Sequence, residues 1–224
     1  MRAGGGRLMQ HILVYGDSNS FGTPPMAERG LGARMPAPQR WTSVMAAALG
    51  KDWQVIVEGL PGRTTVHDDM VEGAHRNGLT VLPAVLYSHA PLDMVVIMLG
   101  TNDLKMRFNV PAIDIALSIG RLVALALASG VTRDVLIVCP ASVRETGCLA
   151  GMFEGAEARG AGLCVHVMRE AARLGVGFVD AGAHVSVDPL DGVHLNAAAH
   201  AVLGQVIAEA VRDRMKQPGR ADAK

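Results

Sequence analysis

The chain has 224 residues, of which 50% are hydrophobic, and its 21 basic residues balance its 21 acidic ones to a formal net charge of zero. This length and composition suit one large domain with a buried core and exclude a mainly disordered chain. The balanced charge argues against a nucleic-acid-binding surface and against a basic face that binds membranes.

Five short apolar runs, each rich in β-branched residues, mark the predicted strands. They are HILVY (11–15), WQVIVE (53–58), MVVIML (94–99), VLIVC (135–139) and VGFVD (176–180). The runs lack the alternation of apolar and polar residues that a half-exposed strand shows. Such continuous runs are typical of parallel strands that are buried on both faces of a sheet.

Helical patterns separate these runs. They cover 40–49, 111–129, 161–174 and 196–215; Gly50, Gly130 and Gly175 are suited to end the first three, and Asn196 to cap the fourth. The alternation predicts a single-domain α/β/α sandwich, with a flavodoxin-like five-stranded parallel sheet and helices on both faces. We assign 1–10 to a flexible lead-in, 11–215 to the domain and 216–224 to a flexible tail.

Two connections, 59–93 and 140–160, are unusually long, and such loops tend to form substrate pockets or subunit contacts. The chain has three cysteines, Cys139, Cys148 and Cys164. This small and odd number argues against a disulfide framework. We therefore expect a reducing, cytoplasmic location. The first residues are too polar for a signal peptide, and no apolar run approaches a membrane-spanning length, so we expect no membrane association.

Polar or glycine-rich stretches follow three of the predicted strands. GDSNS (16–20) brings Ser18 to a helix N-terminus, EGLPGRTT (58–65) brings Gly59 to a strand exit, and GTNDLK (100–105) brings the Asn102 amide. Taken singly, each is explained by a helix cap, a glycine loop or an Asx turn. Ligands of open α/β sheets, however, bind beyond the carboxyl ends of the strands.

Asp191 and His194 lie three residues apart in DGVHLN (191–196), just before the last helix. At that spacing a carboxylate reaches the imidazole Nδ1 and leaves Nε2 free. Taken alone, the pair is explained by a capping aspartate and a surface histidine. Together, the chain segments bring a hydroxyl nucleophile, an oriented base and oxyanion donors to one edge, and this combination is the one required for acyl transfer.

GDSN, Gly59, GTND and DGVHLN resemble, in the same order, the four signature blocks of the SGNH hydrolase superfamily, also called GDSL esterases. The resemblance spans roughly residues 11–212. RWTSVMAAALG (40–50), VEGLPGRTT (57–65) and PLDMVVIMLGTNDLK (91–105) are most similar to a bacterial arylesterase and acyltransferase branch. Members of that branch often form oligomers, so we expect a homo-oligomer.

The resemblance implies a role for each site residue. Ser18 would be the nucleophile, His194 the general base and acid, and Asp191 the carboxylate that orients it. The backbone N–H groups of Ser18 and Gly59 and the side-chain amide of Asn102 would form the oxyanion hole. The expected activity is hydrolysis of short-chain acyl esters, with transfer of the acyl group to alcohols and with no cofactor or metal.

Two alternatives remain at this point. The same machinery suits a carbohydrate O-deacetylase or a thioesterase. A non-catalytic flavodoxin-like module could instead bind a phosphate or nucleotide at the helix N-termini, but it would leave the Asp191–His194 spacing unexplained. An ester panel and labelling of Ser18 would separate these hypotheses.

Other residues are assigned by their position near the predicted site. Asn19, which stands where the family usually has leucine, and the aromatic residues Phe21 and Phe153 are candidates for an acyl or alcohol pocket, with plain core as the alternative for the two aromatics. Asp17 is expected to brace the serine turn, and Arg63 and Asp103 to brace the cleft. A polar cluster lacks the spacing of a metal site and is read as a polar loop: His67, Asp68, Asp69 and His75.

Overall fold

Five parallel strands form the central sheet of the computed structural model, which describes residues 9–30 and 33–216. They are β1 (Gln10–Gly16), β2 (Trp53–Gly59), β3 (Met94–Met98), β4 (Val135–Cys139) and β5 (Gly177–Asp180). Their order is β2-β1-β3-β4-β5, the flavodoxin-like order. The predicted fold class is therefore confirmed.

Helices connect the strands on both faces of the sheet. They are α1 (Ser18–Phe21), α2 (Trp41–Leu49), α3 (Gly78–Ser88), α4 (Ala112–Ala128), α5 (Ala156–Arg159), α6 (Leu163–Leu174) and α7 (Ala197–Lys216). The four predicted helices correspond to α2, α4, α6 and α7. Asn196 caps α7 as predicted, because its Oδ1 accepts a hydrogen bond of 3.0 Å from the Ala199 N–H.

The sequence reading missed α3, which lies inside the long connection 59–93. Pro83 stands in the middle of this helix, and an interior proline removes one backbone hydrogen bond and normally argues against a helix. Two features compensate: the Asn77 side chain caps the first turn, and Leu82 and Leu86 are fully buried. Tertiary packing thus overrides the local signal.

Alternate side chains of the strands enter two separate hydrophobic cores. On one face, Leu13 and Tyr15 of β1 pack with residues of α3, α4 and α6. On the other face, Ile12 and Val14 pack with residues of α2 and α7. This arrangement explains the uninterrupted apolar runs, since a strand covered by helices on both sides has no solvent-facing position.

The carboxyl end of β1 lies between those of β2 and β3. Gly16 pairs with Gly59 of β2 on one side and with Met98 of β3 on the other. The chain passes from β1 to β2 on one side of it and then returns to β3 on the other side of β1. The order of the strands in the sheet therefore reverses at β1. Ligands of doubly wound sheets bind at such a switch point.

A single α/β domain accounts for the described residues. Strand β1 begins at Gln10, within the predicted lead-in, and α7 ends at Lys216, the first residue of the predicted tail. Residues 1–8 and 217–224 lie outside the described part of the chain. Across 9–30 and 33–216, no helix has both the length and the apolar character needed to cross a membrane.

Candidate active site

Ser18 is the first residue of α1, a one-turn helix that follows β1 after a single intervening residue. That residue, Asp17, caps the helix, and its Oδ1 accepts a hydrogen bond of 3.0 Å from the Asn19 N–H. The Ser18 N–H has no acceptor within the helix, as is general for the first turn. Ser18 is 5% exposed, so the turn holds this residue in a buried position at the carboxyl edge of the sheet.

Two glycines allow α1 to lie directly against the strand ends. A Cβ atom on Gly16 would lie 2.1 Å from Ser20 Oγ, and one on Gly59 would lie 2.4 Å from the Phe21 nitrogen. Neither space can hold a methyl group without displacing the helix. Glycine at the exit of β2 is therefore required by the close approach of the backbone that carries Ser18.

The Asp191 and His194 side chains form a buried pair. His194 Nδ1 and Asp191 Oδ2 are 2.7 Å apart, and Asp191 Oδ1 accepts hydrogen bonds of 2.9 Å from the N–H groups of Val193 and His194. Burial alone would raise the pKa of Asp191, but these hydrogen bonds and the imidazole hold it below its ordinary value. The carboxylate stays ionised and orients the ring.

The predicted nucleophile and base are brought to the same edge of the sheet. Within the described residues, no hydrogen bond joins the Ser18 hydroxyl to the His194 ring, although the two residues are similarly buried. Such bonds are often long without substrate and tighten when it binds. One contact between their chain segments is made by Asn19, whose amide bonds to the Val193 carbonyl and to the Leu195 N–H.

Asn102 lies just after β3, beside the Ser18 turn. Its Nδ2 donates to the Arg63 carbonyl oxygen at 3.1 Å and lies 3.5 Å from Asp17 Oδ2. The neighbouring Asp103 is fully buried and accepts hydrogen bonds of 3.1 Å from the Thr65 N–H. The connection after β2 is thereby fixed against the segment that carries Asn102.

Arg63 is buried and braces the ends of two strands. Its Nη1 donates to the carbonyl oxygens of Gly16, at 2.9 Å, and Glu58, and its guanidinium carbon lies 4.0 Å from the centre of the Tyr15 ring. Burial lowers the pKa of Arg63 from its usual value, and Tyr15, Glu58 and Asp17 oppose that shift. The side chain is buried, not solvated.

Asp17, like Asp103, is a buried carboxyl group of the site whose pKa is raised. Burial raises its pKa to about 6, although the hydrogen bond from Asn19 and the charges of His194 and Arg63 act in the opposite direction. The side chain is a cap of α1, as the bracing role requires. Its ionisation near neutral pH makes the serine turn sensitive to pH.

The tentative pocket residues fall in different places. Phe21 is half-buried at the end of α1, where the Arg34 guanidinium lies 4.1 Å above its ring. Phe153 is 2% exposed and belongs to the hydrophobic core, which favours the core alternative. The Asn19 amide is bonded to the backbone on either side of His194, and its part in a pocket stays a prediction.

In the polar cluster after β2, Asp69 belongs to a structural ion-pair network. Asp69 is fully buried between Lys105 Nζ, at 3.4 Å, and Arg107 Nη1, at 2.8 Å, while Glu72 pairs with the same two cations. The His67 ring stacks on Phe108. Within the described residues, no three His, Cys, Asp or Glu side chains are grouped to hold a metal ion. The network ties the long connection to the segment that follows Asn102.

One contact of the site is not predicted by the sequence. The Met26 N–H, in the loop after α1, donates to Asp191 Oδ2 at 3.0 Å, and the Cys148 thiol in turn contacts the Met26 carbonyl oxygen at 3.3 Å. No sequence signal could have found the first bond, because any residue except proline supplies a backbone N–H. The loop therefore contributes to the site through its path and not through a side chain.

Comparisons with known proteins agree on one class. A family model described as the GDSL-like lipase/acylhydrolase family matches residues 14–202. The structure of the inhibitor-bound aryl esterase of M. smegmatis has 37% sequence identity and a TM-score of 0.88, over 92% of this chain and 99% of that one. A carbohydrate acetylesterase from Sinorhizobium meliloti has 38% identity and a TM-score of 0.86, over 91% and 99%.

A more distant structure, a lipase/acylhydrolase from Enterococcus faecalis, has 19% identity and a TM-score of 0.65, over 92% of this chain and 97% of that one. At that identity the likeness concerns the fold alone. The comparison with curated proteins gives no significant match.

Proposed function

The chain belongs to the GDSL-like lipase/acylhydrolase family and is a carboxylic-ester hydrolase, and we propose that it cleaves short-chain acyl esters with Ser18 as nucleophile. The observation that carries the proposal is the buried Asp191–His194 pair, with 2.7 Å between Oδ2 and Nδ1, tied by Asn19 to the turn of Ser18. This arrangement offers an oriented base next to a hydroxyl.

The first half of the reaction forms an acyl-enzyme. Ser18 Oγ attacks the ester carbonyl carbon while His194 Nε2 takes the hydroxyl proton, and the ionised Asp191 stabilises the imidazolium. The carbonyl electrons move to its oxygen, which becomes an oxyanion. When this intermediate collapses, the C–O bond to the alcohol breaks and the leaving oxygen takes the proton from His194.

The second half releases the acid. A water molecule gives its proton to His194 and attacks the acyl carbon, and the new tetrahedral intermediate expels Ser18 Oγ, which regains its proton. The Ser18 N–H, the Gly59 N–H and the Asn102 amide are the proposed donors to the oxyanion in both halves. Their fixed positions at three neighbouring strand ends support this role, because preorganised donors need no rearrangement as charge develops.

A panel of esters tests the activity and its range. Wild type and Ser18→Ala are assayed on p-nitrophenyl esters of increasing chain length, on acetylated sugars and on acyl-CoA. We expect short p-nitrophenyl esters to be cleaved fastest and Ser18→Ala to lose this activity. Equal rates for the two proteins on p-nitrophenyl acetate would contradict the proposal.

A second candidate is deacetylation of carbohydrate esters. The observation that favours it is the 38% identity to a carbohydrate acetylesterase over 91% of the chain. In the same panel, a kcat/KM for acetylated sugars above that for p-nitrophenyl acetate would select this candidate. The proposed chemistry at Ser18 is the same in both cases.

Acyl transfer to alcohols is a further part of the proposal. Ser18, His194 and Asn102 are each only 5% exposed, and a site with limited access for water allows an alcohol to compete for the acyl-enzyme. Ester formation from vinyl acetate and a primary alcohol in mostly aqueous buffer would support it. Production of acetic acid alone would contradict it.

The proposed setting is a homo-oligomer in the cytoplasm. Met70 and Val71, at the tip of the long connection after β2, are 82% and 77% exposed, and adjacent exposed apolar side chains favour contact with another protein surface. The three cysteines are free thiols, which suits a reducing compartment.

A further inference from the structure

Asn19 follows the proposed nucleophile directly, and both ends of its side-chain amide are engaged. Nδ2 donates to the Val193 carbonyl oxygen at 3.1 Å, and Oδ1 accepts from the Leu195 N–H at 3.0 Å. The two main-chain groups flank His194 on either side. Since Asn19 is 5% exposed, water cannot readily replace either hydrogen bond.

The geometry inside the Asp191–His194 unit is fixed without Asn19. Asp191 itself accepts the N–H groups of Val193 and His194 and bonds to the imidazole. These contacts set the ring relative to the carboxylate, but none of them reaches α1. The position of the whole unit relative to Ser18 is set by the packing of Val193 and Leu195 in the two cores, by the bond from the Arg144 N–H to the Gly192 carbonyl oxygen, and by hydrogen bonds between the two chain segments.

Two contacts of this kind are present in the described residues. One is the hydrogen bond from the Met26 N–H to Asp191, which comes from the loop beyond α1. The other is the two-point bond of Asn19, which comes from the same helical turn as Ser18. The Asn19 amide supplies one donor and one acceptor, which match the Val193 carbonyl oxygen and the Leu195 N–H. A leucine side chain could supply neither.

We propose that Asn19 is a positioning residue that holds His194 in reach of Ser18. The inference rests on the proposed function, because it assigns Asn19 a part in proton transfer between those two residues. Without the amide, the Asp191–His194 unit keeps its internal geometry but shifts relative to the nucleophile. A displacement of about 1 Å at a reacting pair can lower the rate about 100-fold.

The test uses two variants and a matched control. Asn19→Leu keeps the number and branching of the side-chain heavy atoms, and Asn19→Ala removes the same hydrogen bonds with less risk of a clash. The control is Asn196→Ala, which removes an asparagine of the segment that carries His194, bonded to Asp188 and to the Ala199 N–H. For each protein, kcat, KM, the pH profile of kcat/KM and the thermal unfolding midpoint are measured on p-nitrophenyl acetate.

We expect both Asn19 variants to lose about 10- to 100-fold in kcat, with KM little changed. The acidic limb of the pH profile should stay at its wild-type position, because the bond between His194 and Asp191 survives. The Asn196→Ala control should lower the unfolding midpoint and keep the wild-type kcat. A purely stabilising contact would not produce this split between kcat and KM.

The inference would be overturned if either Asn19 variant kept the wild-type kcat, or if the lost activity only tracked the loss of folded protein. A shift of the acidic limb in both variants would also overturn it, because the ionisable groups of the site, Asp17 among them, would then have changed. Failure of the underlying function is distinguishable, since it would appear as wild-type activity that survives Ser18→Ala.

Discussion

At the scale of single residues, two buried carboxyl groups of the site lie in opposite environments. Asp191 has several donors and a pKa below its usual range, whereas Asp17 accepts the cap bond and one long bond from the Asn102 amide, and burial raises its pKa to about 6. The first is therefore a permanent anion beside the base, and the second changes charge near neutral pH. Carboxyl groups whose environments separate their pKa values in this way are frequent at active sites.

Asn102 is expected to act mainly on turnover. Asn102→Ala removes one of the three proposed oxyanion donors, and such a loss typically lowers kcat by ~10²–10³. KM should change little, because the donor acts most strongly on the charged intermediate. Steady-state kinetics on a short p-nitrophenyl ester checks this, with Asn196→Ala as the control; a wild-type kcat for Asn102→Ala would remove the amide from the oxyanion hole.

Asp17 is expected to make the free energy of unfolding depend on pH. Its pKa is about 6 in the folded protein against an ordinary value of 3.8, so between these values the folded state binds more protons than the unfolded state. The contribution of this group to stability is therefore present below the lower pKa and is lost as pH rises through the upper one.

Asp17→Asn keeps an acceptor for the Asn19 N–H and removes the buried charge. We expect the free energy of unfolding of the variant to exceed that of wild type by about 3 kcal/mol at most at pH 7, and by little at pH 4. Denaturant unfolding of both proteins at the two pH values measures the difference. A difference that is the same at pH 4 and pH 7 would contradict the raised pKa.

At the scale of elements, the site depends on how closely α1 lies against β1 and β2. The single helical turn has no hydrophobic stripe of its own, since Ser18, Asn19 and Ser20 are its buried residues. Its position is set by the cap at Asp17 and by the two glycines that leave room for its backbone. The glycine at the end of β2 is thus a condition for the site as well as a proposed donor.

Gly59→Ala should move α1 and lower activity. The added methyl group would meet the backbone of Phe21, and overpacking of this kind costs about 1–3 kcal/mol. We expect a lower unfolding midpoint and a lower kcat. The control is Gly151→Ala, where a Cβ meets nothing within 4 Å; equal behaviour of the two variants would contradict the close packing of α1.

At the scale of the whole molecule, the parallel sheet could be predicted because its strands are continuous apolar runs, and four of the five are followed by a helical pattern. The predicted site residues could be placed at one edge of the sheet because they lie at the ends of three strands that are neighbours in it. These residues are Gly59, Asn102 and Ser18. Helix α3 was missed because packing of Leu82 and Leu86 outweighs Pro83. The contacts of Asn19 and Met26 could not be predicted, since they depend on main-chain groups far away in the sequence.

The proposed assembly is tested in solution. Light scattering should give a mass that is a multiple of the 23.5 kDa chain, and a charge at Val71, which is 77% exposed, should lower it. A Val71→Glu variant with the mass of one chain and unchanged folding would place the contact at the long connection. A wild-type protein with the mass of a single chain would contradict the homo-oligomer.

The central claim is that Ser18 carries the acyl group during catalysis. Labelling with a fluorophosphonate, followed by mass spectrometry of the peptides, measures this directly. We predict one adduct per chain, located on Ser18, with loss of esterase activity in proportion to labelling and no adduct in Ser18→Ala. Full labelling at another residue, or activity that remains after Ser18 is fully labelled, would contradict the account.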